Sequence, residues 1–304
     1  MTKHKMPSSE RNCIFTELTP AFLIKGPALQ TSPIVFCSPH SGRIYPSALV
    51  SITQLTPLQL RKSEDCFVDE LFDSAPSLGA SMIAARFPRA YIDVNREPYE
   101  LDPALFSEPV PKFANTWSAR VLGGLGTIAR VVSPSEEIYA ERLPLRIGLE
   151  RIKYLYTPFH AALNDLIEQT RRKFGFAILI DCHSMPSTSS MNPKVNRPDF
   201  IVGDRYGTSC HKHLTQIVRQ SLAQIGQRVR VNQPYAGGFI TEHYGHPKND
   251  VHAVQIEINR RLYLDEPTLM KSCKFQHFKE QMSSFCLKIV TQAPNIIMSS
   301  HVTK

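Results

Sequence analysis

Short apolar runs recur along the chain, each closed by turn residues and followed by a longer amphipathic stretch. The clearest are Pro33–Cys37, Phe176–Ile180 and Ala253–Ile258, with shorter ones at Ser81–Arg86, Ala90–Val94, Ile128–Val132, Phe200–Val202 and Arg228–Val231. Runs of this length read as strands, and an unbroken apolar run is buried on both faces. The stretches between them carry helical spacing. Leu60, Phe67, Val68, Leu71 and Phe72 predict a helix over 55–75, and further helices are expected within 136–174, 207–225 and 266–291. Strands alternating with helices, with no repeat and no linker, define an α/β fold whose central sheet is covered on both faces. A polar, mobile segment over 1–14 and a single α/β domain over 15–295 are expected. Residues 95–126, rich in Pro, Gly and polar side chains, are expected to form a long functional loop.

Bulk properties narrow the function. A chain of 304 residues builds a sufficient core without disulfides. Its seven cysteines include no CxxC pair and are expected as reduced thiols in a cytoplasm. Residues 1–20 contain no apolar signal core, and no apolar stretch approaches a membrane span, so a soluble protein without a membrane partner is expected. The net charge is +8, but the cations are scattered. The densest group, Arg171-Arg172-Lys173, closes a helical pattern, where cations suit the helix dipole. That argues against nucleic acid and fits a small acidic ligand.

Two of the apolar runs end in histidine. Ile34-Val35-Phe36-Cys37-Ser38-Pro39-His40 and Ile178-Leu179-Ile180-Asp181-Cys182-His183 each place the imidazole at a strand's C-terminal edge, where open α/β sheets collect ligands. Two such histidines are candidates for a shared metal, and a carboxylate is the natural third ligand. Glu64, Asp65 and Asp69 follow His40 at the start of the expected helix, where acids also simply suit a helix N-terminus. Asp65 and Asp69, four apart, are expected on one helical face.

Other residues are candidates with a plain structural alternative. In Val254-Gln255-Ile256-Glu257-Ile258-Asn259 the alternation turns Gln255, Glu257 and Asn259 to one side. Glu257 there serves either as general base or as partner to Arg260 or Arg261. Arg96, after Tyr91-Ile92-Asp93-Val94-Asn95, either grips a substrate carboxylate or pairs with Asp93 or Glu97. Arg130, in an otherwise apolar run, requires a partner or a ligand. Gly123-Gly124-Leu125-Gly126 lacks the lysine and hydroxyl residue of a phosphate loop. His211-Lys212-His213 fits a solvated helix face. Ser41 and Ser184 lack a nucleophile elbow, and Cys182 points away from His183.

Several segments together resemble the N-formylglutamate amidohydrolases. They are Ser38-Pro39-His40-Ser41-Gly42 with Pro46, Glu64 through Phe72, Tyr91 through Arg96, Asp181-Cys182-His183-Ser184, Pro198-Asp199-Phe200, Gly207 through Cys210, Gly237 through Gly245, and Val251 through Ile258. Their order, spanning about residues 33–265, carries the resemblance. It implies a three-layer α/β/α sandwich with a central mixed sheet, similar to zinc carboxypeptidases and aspartoacylases. It implies Zn2+, or another divalent metal, held by His40, His183 and a carboxylate, with Asp65 chosen and Glu64 or Asp69 in reserve. It implies Glu257 as base and Asn95 and Arg96 on a substrate carboxylate. In the mechanism so expected, Thr241 and His243, in a Gly-rich loop, complete the pocket and Arg130 assists an oxyanion. The implied reaction is hydrolysis of N-formyl-L-glutamate to formate and glutamate, in histidine breakdown. Deacylation of another N-acyl amino acid, or silent binding of acidic small molecules, are the alternatives.

Overall fold

A computed structural model describes residues 10–133, 135–188, 197–226 and 228–302. The elements open with α1 (Glu10–Glu17), β1 (Phe22–Lys25), β2 (Ile34–Ser38), α2 (Ser47–Val50), α3 (Pro57–Arg61), α4 (Val68–Leu71) and β3 (Ser81–Ala85). Next come α5 (Ala119–Leu122), β4 (Val131–Ser133), β5 (Glu136–Glu137), α6 (Leu145–Arg151), a π turn (Ile152–Tyr156) and α7 (Thr157–Phe174). The chain ends with β6 (Ala177–Met185), β7 (Phe200–Gly203), α8 (Lys212–Leu222), β8 (Val229–Val231), α9 (Phe239–Tyr244), β9 (Val251–Asn259), β10 (Leu264–Asp265), β11 (Met270–Lys271) and α10 (Phe275–Val302). Residues 1–9 of the expected mobile segment lie outside the described residues, as do 189–196.

The chain forms the expected mixed α/β architecture, with a seven-stranded central sheet in the order β1-β3-β2-β6-β9-β7-β8. β3, β2, β6 and β9 pair in parallel, whereas β7 runs antiparallel to β9. Two compact units divide the chain. One takes residues up to Leu23, His40–Glu64 and Ala85–Ala161, and the other takes Ile24–Pro39, Asp65–Ala84 and everything from Ala162.

Within the second unit the core decides which way the strands face. Ile178, Ile180 and Cys182 of β6, with Val254, Ile256 and Ile258 of β9, join one buried cluster with Phe72, Leu214, Phe278 and Phe285 from the helices. Strand residues alternate faces. Leu179, Asp181 and His183, and Gln255, Glu257 and Asn259, therefore all turn to the opposite face. The parallel register pairs His183 with Glu257 and Asp181 with Gln255, so these four polar residues share it.

Several expected elements differ. Residues 10–14, expected as mobile, lie in α1 with Glu10, Cys13 and Ile14 buried, and the strand expected over 128–132 begins only at Val131. The helix expected over 55–75 is broken. Thr56 caps α3 through a capping box with Gln59, the helix stops at Arg61, and α4 restarts only at Val68. Phe67, at φ 60°, is in the left-handed region, which a continuous right-handed helix excludes. Asp65 consequently lies in the break and shares no helical face with Asp69. Ala90–Val94 is a buried turn rather than a strand, and Glu136–Glu137 forms a short strand where helix was expected.

Candidate functional site

The polar face of β6 and β9 carries a buried imidazole between two carboxylates. His183 Nε2 lies 2.8 Å from Asp181 Oδ1, and its Nδ1 lies 3.0 Å from Asp65 Oδ2. His183, Asp65 and Asp181 are all buried. Burial disfavours the imidazolium, but Asp181 and Asp65 outweigh it and lift the His183 pKa well above its usual value. Asp65 Oδ1 also accepts from Ser184 Oγ at 3.0 Å and lies 3.5 Å from the buried guanidinium of Arg260, whose Nε donates to Ser184. A carboxylate in the break between α3 and α4 is thus fixed by three neighbours, so the break is what delivers it to His183.

Thr241 Oγ1 donates to Asp181 Oδ2 at 3.0 Å, and Gln255 donates to Glu257 Oε1 at 2.8 Å. Thr241 therefore acts in this structure on Asp181. Glu257 stands in register beside His183, less buried than the strand residues around it. His243 is exposed and lines a polar pocket of about 370 Å³ with Arg171, His246, Asp250 and Val251. Val251 begins β9 and Glu257 lies six residues on, about 20 Å along the strand.

The first unit holds a matching arrangement around His40. Its Nε2 lies 2.8 Å from Asp93 Oδ1, and both are buried. Burial would raise the Asp93 pKa, but Arg89, Arg96 and His40 hold this carboxyl well below its usual range. Gly42, two residues after His40, is a close approach: a Cβ there would lie 2.0 Å from the Phe87 carbonyl oxygen. Only glycine lets the chain leaving His40 run against residues 86–87. Arg96 is buried. Its Nε donates to the Leu125 carbonyl at 2.8 Å, its Nη1 to the Asn95 carbonyl at 2.7 Å, and its Nη2 lies 3.5 Å from Asp93. Burial pushes its guanidinium down to about 10 while Asp93 pulls it back up.

Glu64 accepts from the Tyr45 hydroxyl at 2.6 Å and from Arg61 at 3.2 Å. Asp69 is half-buried on α4. Arg130 has its guanidinium held by Asp102 at 2.8 Å and Glu137 at 2.6 Å. The charge that suggested an oxyanion partner thus finds ordinary ion pairs. The sequence did not assign Asp181 to His183, Asp93 to His40 or Arg260 to Asp65. For Asp181 a signal existed, since an acid two residues before a strand histidine shares its face.

This is an α/β protein with a buried polar site at the carboxyl ends of its central strands, where the class carries its chemistry. The sequence pattern of the family described as N-formylglutamate amidohydrolase matches residues 32–264, and the chain belongs to that family. It is 29% identical over 239 residues to N-formylglutamate deformylase of Pseudomonas aeruginosa, covering 77% of this chain and 83% of that protein. It is 30% identical over 242 residues to N-formylglutamate deformylase of Pseudomonas putida, covering 77% and 82%. It is also similar to the crystal structure of N-formylglutamate amidohydrolase from Ralstonia eutropha JMP134, with TM-score 0.84 and 32% identity over 89% of this chain and 97% of that one.

Proposed function

We propose that this protein hydrolyses N-formyl-L-glutamate to formate and L-glutamate, with His40, Asp65 and His183 holding a divalent metal, zinc by choice. The observation that carries the reading is His183, buried between Asp181 and Asp65 and in register with Glu257. The donor set fits the metal. Each of the three residues is buried and offers one ligand atom, and two imidazoles with one carboxylate suit a catalytic zinc. Both histidines have Nε2 against a carboxylate, Asp93 or Asp181, which leaves Nδ1 as the ligand atom and sets the tautomer. The pairing of Cys37 with Asp181 supports His40 as a member, because β2 and β6 run out at the same edge, three and two residues before the histidines.

A divalent metal held by His40, Asp65 and His183 would supply Lewis acidity to the formyl oxygen and to water. Glu257 takes a proton from the attacking water and returns it to the leaving nitrogen. Gln255, donating to Oε1, orients that carboxylate. Asn95 and Arg96 hold a carboxylate of the substrate, with the guanidinium fixed in place by its bonds to the Leu125 and Asn95 carbonyls. Arg130 stays in its ion pairs and takes no step.

The test is formate release from N-formyl-L-glutamate by metal-loaded protein, beside a chelated control and a panel of other N-acyl amino acids. Chelator-sensitive release is expected. Turnover of another acyl donor alone would move the substrate, and inactivity across the panel with metal bound would overturn the reading.

A further inference from the structure

A buried backbone must pair its carbonyls as strictly as its amides. Residues 90–96 are all buried and lie in no strand. Four of their amides have partners: Tyr91 and Ile92 donate to the Pro88 carbonyl, Asp93 to that of Thr127, and Asn95 to the Asp93 side chain. Three of their carbonyls are met by side chains of a single helical segment. Arg151 Nη1 reaches the Tyr91 carbonyl at 3.1 Å, His160 Nε2 the Val94 carbonyl at 2.8 Å, and the Tyr156 hydroxyl the Arg96 carbonyl at 2.7 Å. Arg151 is fully buried, with Glu10 and the Tyr139 hydroxyl as further partners and its guanidinium 3.9 Å over the Tyr91 ring.

The spacing of these three residues is unusual for a helix. Five residues of regular α-helix would separate Arg151 and Tyr156 by about 140° around the axis. Between them lies the π turn, Ile152–Tyr156, whose wider i→i+5 winding returns the fifth residue near the first. Tyr156 and His160 are then one α-turn apart, their rings 4.3 Å centroid to centroid.

We infer that the π turn is a positioning device: it aligns Arg151, Tyr156 and His160 on the carbonyls of residues 91–96 and so sets Asp93, Asn95 and Arg96. Tyr156 is the positioning residue for substrate, because its hydroxyl holds the residue proposed to grip the carboxylate. This role rests on the amidohydrolase reading above.

Tyr156→Phe removes one hydroxyl and keeps the ring, and Tyr154→Phe, whose ring packs on Phe15, is the control. In metal-free full-length protein, amide exchange of a peptide spanning 90–97 is expected to quicken about tenfold in Tyr156→Phe, as loss of a buried partner allows, and to hold in Tyr154→Phe. In the metal-loaded enzyme, KM for N-formyl-L-glutamate rises about tenfold with kcat within about twofold, the pattern of lost substrate binding. Unchanged exchange would overturn the positioning role. Faster exchange with lower kcat at constant KM would overturn the substrate assignment and leave a structural role. A wild-type protein releasing no formate would defeat the amidohydrolase reading, while exchange would still decide whether Tyr156 holds the segment.

Discussion

Glu257 shows how much one residue depends on its neighbours' pattern. The apolar positions Val254, Ile256 and Ile258 enter the core, and that alone turns Glu257 to the face of Asp181 and His183. Its carboxylate accepts from Gln255. The Glu257→Gln variant keeps the size and the polar face but cannot accept a proton. A drop in kcat of at least about 100-fold is expected, the scale of general-base catalysis, with metal content by elemental analysis unchanged. Near-normal turnover would remove Glu257 from the mechanism. Its alternation was legible in the sequence. The partner of Asp65 was not, because Arg260 and Ser184 meet it from 195 and 119 residues away.

At the scale of elements, strands were legible and the helix after β2 was not. β2 and the first half of β6 coincide with unbroken apolar runs, and β9 with an alternating one, since a strand's buried faces restrict its composition. The stretch 55–75 carries a helical stripe, yet the chain breaks between Arg61 and Val68. Local propensity there yields to the bonds that hold Glu64 and Asp65. The packing of α10 is equally a matter of tertiary contact. Phe285 on α10 is buried and meets Phe72 edge-on at 6.5 Å between centroids. Phe285→Ala is expected to cost about 3–5 kcal/mol in a denaturant titration, as truncation of a buried aromatic does. A loss below about 1 kcal/mol would show that this helix contributes little to the sheet's cover.

For the whole molecule, six of the seven cysteines are buried and none of the seven is in a disulfide. Burial pushes Cys286 from 9.0 up to about 12. A folded-state pKa above the unfolded one means this thiol's contribution is complete below pH 9 and is lost as pH rises toward about 12. Stability should fall over that window, with Cys286 contributing up to about 1.4 kcal/mol per pH unit. Comparing the parent with Cys286→Ala by urea unfolding at pH 8, 9, 10 and 11 checks this. The variant's slope is expected to be shallower, and equal slopes would remove Cys286 as a cause. No described helix is long and apolar enough to cross a membrane.

The sequence by itself determined the α/β class, the strand that leads to His40 and the strand that carries His183, which runs on to Met185, the face that Glu257 occupies, and the family resemblance. Each of these follows from period and order along the chain, which local sterics and burial enforce. Only the tertiary structure decided that Asp65 rather than Glu64 stands against His183, that Asp181 and Asp93 hold the two imidazoles, that Arg130 is spent in ion pairs, and that a π turn grips the segment before Arg96. Those are pairings between residues distant in sequence, and no local pattern encodes which buried charge will meet which.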